Sequence, residues 1–126
     1  MKIQEWELAQ IKPYENNPRK NDAAVDKVAA SIQEFGFKVP IIVDRNGVIV
    51  AGHTRLKAAE KLGLKTAPVI VAEDLDNEQA KAFRLADNKT AEFAEWDIEL
   101  MESELAEISE IDMSAFGNWG GADRLV

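Results

Sequence analysis

One glycine, Gly52, stands between a β-rich run and a helical run, and it constrains the fold more than any other residue. Upstream, Ile41 to Val43 and Val48 to Ala51 are apolar and β-branched, joined across Asp44-Arg45-Asn46-Gly47. Asn-Gly between two such runs is a strong hairpin signal. Downstream, Leu56, Ala59 and Leu62 recur at helical spacing from a start near His53, and Gly63 ends the run. The chain must therefore turn from strand to helix at Gly52. A residue without a Cβ lets a ligand approach the backbone there. The first N–H groups of the following helix have no intrahelical acceptor and carry partial positive charge. Such a turn is suited to an anion. Thr54 adds a hydroxyl, and Arg55 a guanidinium fork that matches phosphate. The plainer alternative is an ordinary turn, with Thr54 as a helix cap and Arg55 in solvent.

Charge narrows the possible partners. The net charge is −8, but residues 1–65 carry +3 and residues 66–126 carry −11. A chain this acidic should not coat DNA without regard to sequence, so any phosphate contact should be local and lie in the first half. There are no cysteines, so disulfides, thiolate metal sites and thiol catalysis fall away. No apolar run approaches the length of a membrane span. The opening MKIQEWELAQ lacks the apolar stretch of a secretory signal. A cytoplasmic location is expected.

Along the chain, Ile3 to Leu8 reads as a short strand, and Lys12 to Arg19 as an extended turn-rich loop with two prolines and two asparagines. Asn21 or Asp22 caps a helix carrying Val25, Val28, Ala29, Ile32 and Phe35, stopped by Gly36. Ala67 to Val71 is a buried strand. Asp76 to Gln79 has the spacing of a capping box, and Ala80, Phe83 and Ala86 are expected inward on the helix that follows. Trp96-Asp97 restarts a helix with Ile98, Met101, Leu105 and Ile108 on one face, either core or a docking face for a partner domain.

Other candidate residues have two readings each. His53 is the only histidine. It hydrogen-bonds locally or, beside a phosphate, donates as an imidazolium. Asp87-Asn88 is a carboxylate–amide pair suited to a hard cation, or a helix end with Asn88 in a left-handed turn. Asn16 and Asn17 make turn hydrogen bonds or touch a ligand. Trp96 and Trp119 are read as packing residues rather than base-stacking platforms.

Taken in order, Asn17-Pro18-Arg19, Phe35-Gly36, Val39 to Val43, Ala51 to Arg55 and Pro68 to Val71 resemble the N-terminal domain of the ParB/sulfiredoxin superfamily, over roughly residues 3–95. The resemblance implies an α/β (α+β) fold, a small mixed sheet or partial barrel with three to four helices. It places a ParB-like domain at 1–95; a helix at 96–111 that packs on it or docks a partner follows, and the small, Gly-rich run from Asp112 reads as a linker or frayed tail at 112–126. It also implies a phosphate or nucleotide site at Gly52, His53, Thr54 and Arg55, with Asn16, Asn17, Pro18 and Arg19 on the facing loop. Asp87 and Asn88 would help to hold Mg²⁺ alongside a nucleotide. In ParB proteins the turn reads Gly-Glu-Arg-Arg and holds the triphosphate of CTP. Gly52 and Arg55 match its ends, and His53 and Thr54 replace its middle. ParB's Glu-Asn pair is followed by an Arg, whereas Asp87-Asn88 is followed by Lys89-Thr90-Ala91.

Sulfiredoxin's Gly-Cys-His-Arg chemistry needs a thiol that this chain lacks. Other superfamily members are serine kinases or carry the label "ParB-like nuclease", so kinase and nuclease activities stand as alternatives, beside an adaptor with a vestigial pocket. Trp96-Asp97 and Phe116-Gly117 extend the resemblance to ParB-like domains fused to DNA-modification methyltransferases of phages and mobile elements. No Asp-Pro-Pro-Tyr-like motif or cofactor-binding glycine loop is present. DNA contact is therefore expected through a partner or fused domain.

Overall fold

The computed structural model describes residues 1–17 and 22–120. Strand β1 (Ile3–Glu7) runs into a short 3-10 turn at Leu8–Gln10. Helix α1 (Asp22–Phe35) precedes the hairpin of β2 (Ile41–Val43) and β3 (Ile49–Ala51). Helix α2 (His53–Lys61), strand β4 (Thr66–Val71) and helices α3 (Asn77–Ala91) and α4 (Ile98–Ala106) follow, then a 3-10 turn at Met113–Phe116. The four strands form one mixed sheet in the order β1-β4-β2-β3. β4 is antiparallel to β1, with Trp6 opposite Ala67, and parallel to β2, with Ile41 opposite Val69. This is the expected small mixed sheet, with four α-helices among the described residues.

The core lies where the apolar faces of β2, β3 and β4 meet α2. Ile41, Val43, Ile49 and Val69 are completely buried, and Leu56 and Ala67 join them. Each fully buried branched side chain contributes about 1.5–3 kcal/mol relative to leaving it in water. Trp6, Leu8 and Phe37 cover the edge of this cluster.

The hairpin turn is a polar staple as well as a reversal. Asp44 N–H donates to Val48 O at 2.8 Å, and Gly47 N–H to Asp44 O at 3.0 Å. The Asp44 carboxylate accepts from Asn46 N–H at 2.8 Å and Val48 N–H at 3.0 Å through one oxygen. Its other oxygen accepts from the Arg84 guanidinium at 2.9 Å. Arg84 Nε also donates to Ile49 O at 2.8 Å. Both charged side chains are buried. Through this pair the third helix is tied to the hairpin.

That tie corrects the expected inner face of α3. The capping box is present, with Asp76 accepting from Gln79 N–H at 2.8 Å and Asp76 N–H donating to Gln79 Oε1 at 3.0 Å. Ala80 is buried as expected, but Phe83 and Ala86 are exposed, and Arg84 takes the inward position. The helix turns its 80-84-88 stripe to the sheet because Arg84 finds Asp44 there. The reading of Asn88 as a left-handed helix end is also corrected. Asn88 lies inside α3, and no residue other than glycine has a positive φ among the described residues.

Beyond α3, Asp97 caps α4 by accepting from Leu100 N–H at 3.2 Å. Phe116 packs on Phe35 of α1 with ring centroids 5.4 Å apart. Trp119 meets Trp96 edge-on at 5.8 Å. Residues 121–126 lie outside the described part.

Removing one partner of a buried, hydrogen-bonded ion pair leaves a charge without compensation, which costs about 3–5 kcal/mol. Arg84→Ala should therefore lower the urea-unfolding free energy by about that amount, and Asp44→Ala should add less than its own cost in the double variant. A loss below about 1 kcal/mol would show the pair to be worth no more than a surface ion pair.

Candidate functional site

Gly52 sits at the start of α2 with φ +115°. A Cβ there would lie 3.2 Å from Ile41 Cγ1 and 3.3 Å from Ile41 Cα. Backbone conformation and space thus both require glycine. As the residue before the helix, Gly52 supplies no side-chain acceptor to the first turn. The first α2 amide with a partner among the described residues is Leu56, which donates to Gly52 O at 3.0 Å. Thr54 is the second residue of the helix and not its cap, which corrects the plainer alternative.

A cavity of about 170 Å³ opens at this turn, lined by Asn17, Gly52, His53, Thr54, Arg55, Arg84, Asp87 and Asn88, together with Val50 and Ala51. Three separate segments meet there: the loop before α1, the β3–α2 turn and the middle of α3. Of the residues singled out in the sequence, Asn16 is exposed and is not on the wall. Pro18 and Arg19 lie outside the described residues. The other seven line the cavity.

Arg84 is the wall residue that the sequence did not disclose. Its guanidinium lies 4.1 Å from the centre of the Tyr14 ring, a cation–π contact that also fixes the loop carrying Tyr14. The available signal was an arginine one helical turn before Asp87-Asn88, on the same face as Asn88. Asn88 Nδ2 donates back to Arg84 O at 3.1 Å, so its amide is oriented from within the helix.

Asp44 behind the wall remains ionised. Burial pushes its pKa up, but the N–H groups of Val48 and Asn46 and the Arg84 guanidinium outweigh burial and hold it below 3.8. Arg84's charge is thus matched from behind. Arg55 makes no ion pair with any described residue.

His53 is held as a neutral imidazole. Its Nε2 accepts a hydrogen bond from Tyr14 N–H at 3.0 Å, so Nε2 carries no proton and Nδ1 does. Burial first, then the charges of Arg84 and Lys57, push its pKa below the ordinary 6.5. His53 thus makes the expected local hydrogen bond, accepting from the loop backbone, and offers one N–H.

The ParB N-terminal domain family matches the chain over residues 1–89, and the chain belongs to that family. Over 80 residues it is 39% identical to the ParB-like nuclease domain-containing protein YnaK of Escherichia coli K12, covering 63% of this chain and 92% of YnaK. Among solved structures it resembles the C-terminally truncated chromosome-partitioning protein ParB of Caulobacter crescentus complexed with CTP-γ-S (TM-score 0.72, 24% identity, 94% of this chain and 73% of that one). It also resembles sulfiredoxin from Arabidopsis thaliana (TM-score 0.55, 28% identity, 68% and 98%). The chain spans about 30% of the length of the chromosome-partitioning relatives it matches. No helix among the described residues is long and apolar enough to cross a membrane.

The lowered pKa of His53 sets a pH dependence. The unfolded chain takes up the histidine proton at a higher pH than the folded one does. Stability contributed by neutral His53 is complete above about pH 6.5 and is lost as the pH falls below it. Thermal melts at about pH 7.5 and about pH 5.5 should show the wild type losing stability over that interval, and His53→Gln losing less. An equal loss in both proteins would remove His53 as the cause.

Proposed function

We propose that the Gly52–Arg55 turn binds the phosphate groups of a nucleotide, and that the chain serves as a nucleotide-responsive module in a DNA-linked process. One observation carries this reading. Arg55, which no described residue neutralises, stands on the wall of a cavity beside a helix start whose first N–H groups have no acceptor among the described residues. Donors without acceptors and a cation without a counter-charge complement a phosphate. Thr54 adds a hydroxyl to the same wall, and Asn17 brings the facing loop to it. Within this reading Arg19 and Pro18 extend the loop's contribution, and Asn16 shapes the turn.

The choice of nucleotide rests on likeness. The Caulobacter ParB with a similar fold was solved with a CTP analogue, so CTP is the first ligand to test. Its magnesium would fit Asp87 and Asn88, a carboxylate and an amide on the cavity wall. Mg²⁺ needs one or two such protein ligands when phosphates supply the rest. A nuclease acting through clustered metal ligands is not part of the proposal, since no group of three or more His, Asp or Glu side chains gathers among the described residues. The net charge of −8 argues that DNA is met through a partner or a fused domain. A DNA-modification methyltransferase is one such domain, supported by the sequence resemblance alone.

A second reading has its own observation. Arg84 already spends its charge on Asp44, so the wall holds a single uncommitted guanidinium among the described residues. An adaptor with a vestigial pocket would look similar.

Titration of the chain with CTP and Mg²⁺ separates the two. Losing a hydrogen bond to a charged group costs about 1.5–3 kcal/mol. Arg55→Ala should therefore weaken binding by roughly ten- to a hundredfold. Equal dissociation constants for wild type and variant, or no saturable binding of any nucleoside phosphate to the wild type, would favour the adaptor.

A further inference from the structure

The far end of the chain breaks a local rule. Between residues 92 and 112 there are nine acidic side chains, and no Lys or Arg occurs from 90 to 123. Helix α4 carries Glu104 in its last turn and Glu107 at its C-terminal cap, with no basic residue in that turn. Negative charge at a helix C-terminus opposes the helix dipole, and the two glutamates also repel each other across one turn. Sequences accept such local conflicts where a surface has another task.

Along the same helix runs an apolar groove of about 390 Å³, formed by Trp96, Leu100, Met101, Leu105, Ile108 and Trp119 and edged by Asp97 and Glu104. Its walls are open to solvent: Trp96 is 68% exposed and Leu100 65%. Trp119 Nε1 donates to Met113 O at 2.7 Å, so the polar edge of that indole is satisfied within the chain. Large apolar side chains this exposed and contiguous mark an interaction site.

The charge around the groove selects its occupant. An anionic bilayer or a nucleic acid would be repelled. A second copy seated on the same face would bring two acidic rims together. We propose that this groove is a docking site for an amphipathic helix of a partner protein whose apolar stripe is flanked by Lys or Arg. The stripe fills the Trp96–Leu100–Trp119 trough, and its flanking cations meet Asp97, Glu104 and Glu107. This is helix-in-groove recognition with electrostatic selection added.

A labelled peptide of about 18 residues, five helical turns, tests this, with Leu at i, i+3, i+4 and i+7 and Lys elsewhere. Fluorescence anisotropy with the full chain should show saturable binding that weakens as salt is raised. A peptide of the same composition with its Leu scattered around the helix should bind at least about tenfold more weakly. Leu100→Ser should cost at least about tenfold, and so should the double variant Glu104→Lys/Glu107→Lys. The double variant should melt no lower than the wild type, because Lys suits a helix C-terminus. Absence of saturable binding, equal binding of the scattered peptide, or unchanged affinity in either variant would overturn the proposal. A wild-type dimer in sedimentation that Leu100→Ser dissolves would also overturn it, by making a second copy the occupant.

Discussion

Asp44 and Arg84 lie forty residues apart, and the buried contact between them sets the position of much of the remaining structure. The carboxylate gathers two backbone N–H groups of its own turn and one guanidinium from α3. The guanidinium in turn reaches Ile49 O and lies over the Tyr14 ring. Burying two ions is costly unless the donors and acceptors around them are well matched. Here the ion pair and its hydrogen bonds supply that matching, and no buried side-chain nitrogen or oxygen lacks a partner among the described residues. The same contact fixes where α3 crosses the sheet, and so brings Asp87 and Asn88 to the cavity.

The second constraint is steric. Gly52 packs against Ile41 in a backbone conformation that side chains disfavour. That close fit sets the first turn of α2 on the cavity wall. His53, one residue later, holds the facing loop through Tyr14 N–H. The cavity is therefore assembled from three segments held by one ion pair, one glycine and one neutral histidine. Its wall carries the guanidinium groups of Arg55 and Arg84 and the carboxylate of Asp87, within a chain whose second half is strongly acidic.

The secondary structure was largely legible because its signals are local. Asn46-Gly47 marked the hairpin, Gly52 and Gly63 bracketed α2, and Asp76 with Gln79 announced α3. Arg84 was not legible. Its partner lies across the sheet, and nothing in a 3.6-residue period says that an arginine rather than Phe83 or Ala86 will face inward. Burial of that charge follows only from the register that puts the hairpin turn beneath α3. The protonation state of His53 was hidden for the same reason, since it depends on Tyr14 N–H and on Arg84, both remote in sequence. Asp87, Asn88 and Asn17 were candidates by residue type, but only the resemblance set them at the Gly52 turn, and the arrangement that brings them together at the cavity could not have been read from spacing.

The central claim is that free amides at the Gly52 turn receive phosphate. Amide proton–nitrogen NMR spectra of the ¹⁵N-labelled chain, recorded as CTP and Mg²⁺ are added, address those amides one by one. The account predicts saturable shifts of the Gly52, His53, Thr54 and Arg55 signals, with one shared dissociation constant, while the amides of α4 stay in place. Shifts that cluster elsewhere, or signals at Gly52 to Arg55 that remain unmoved at saturating nucleotide, would contradict it.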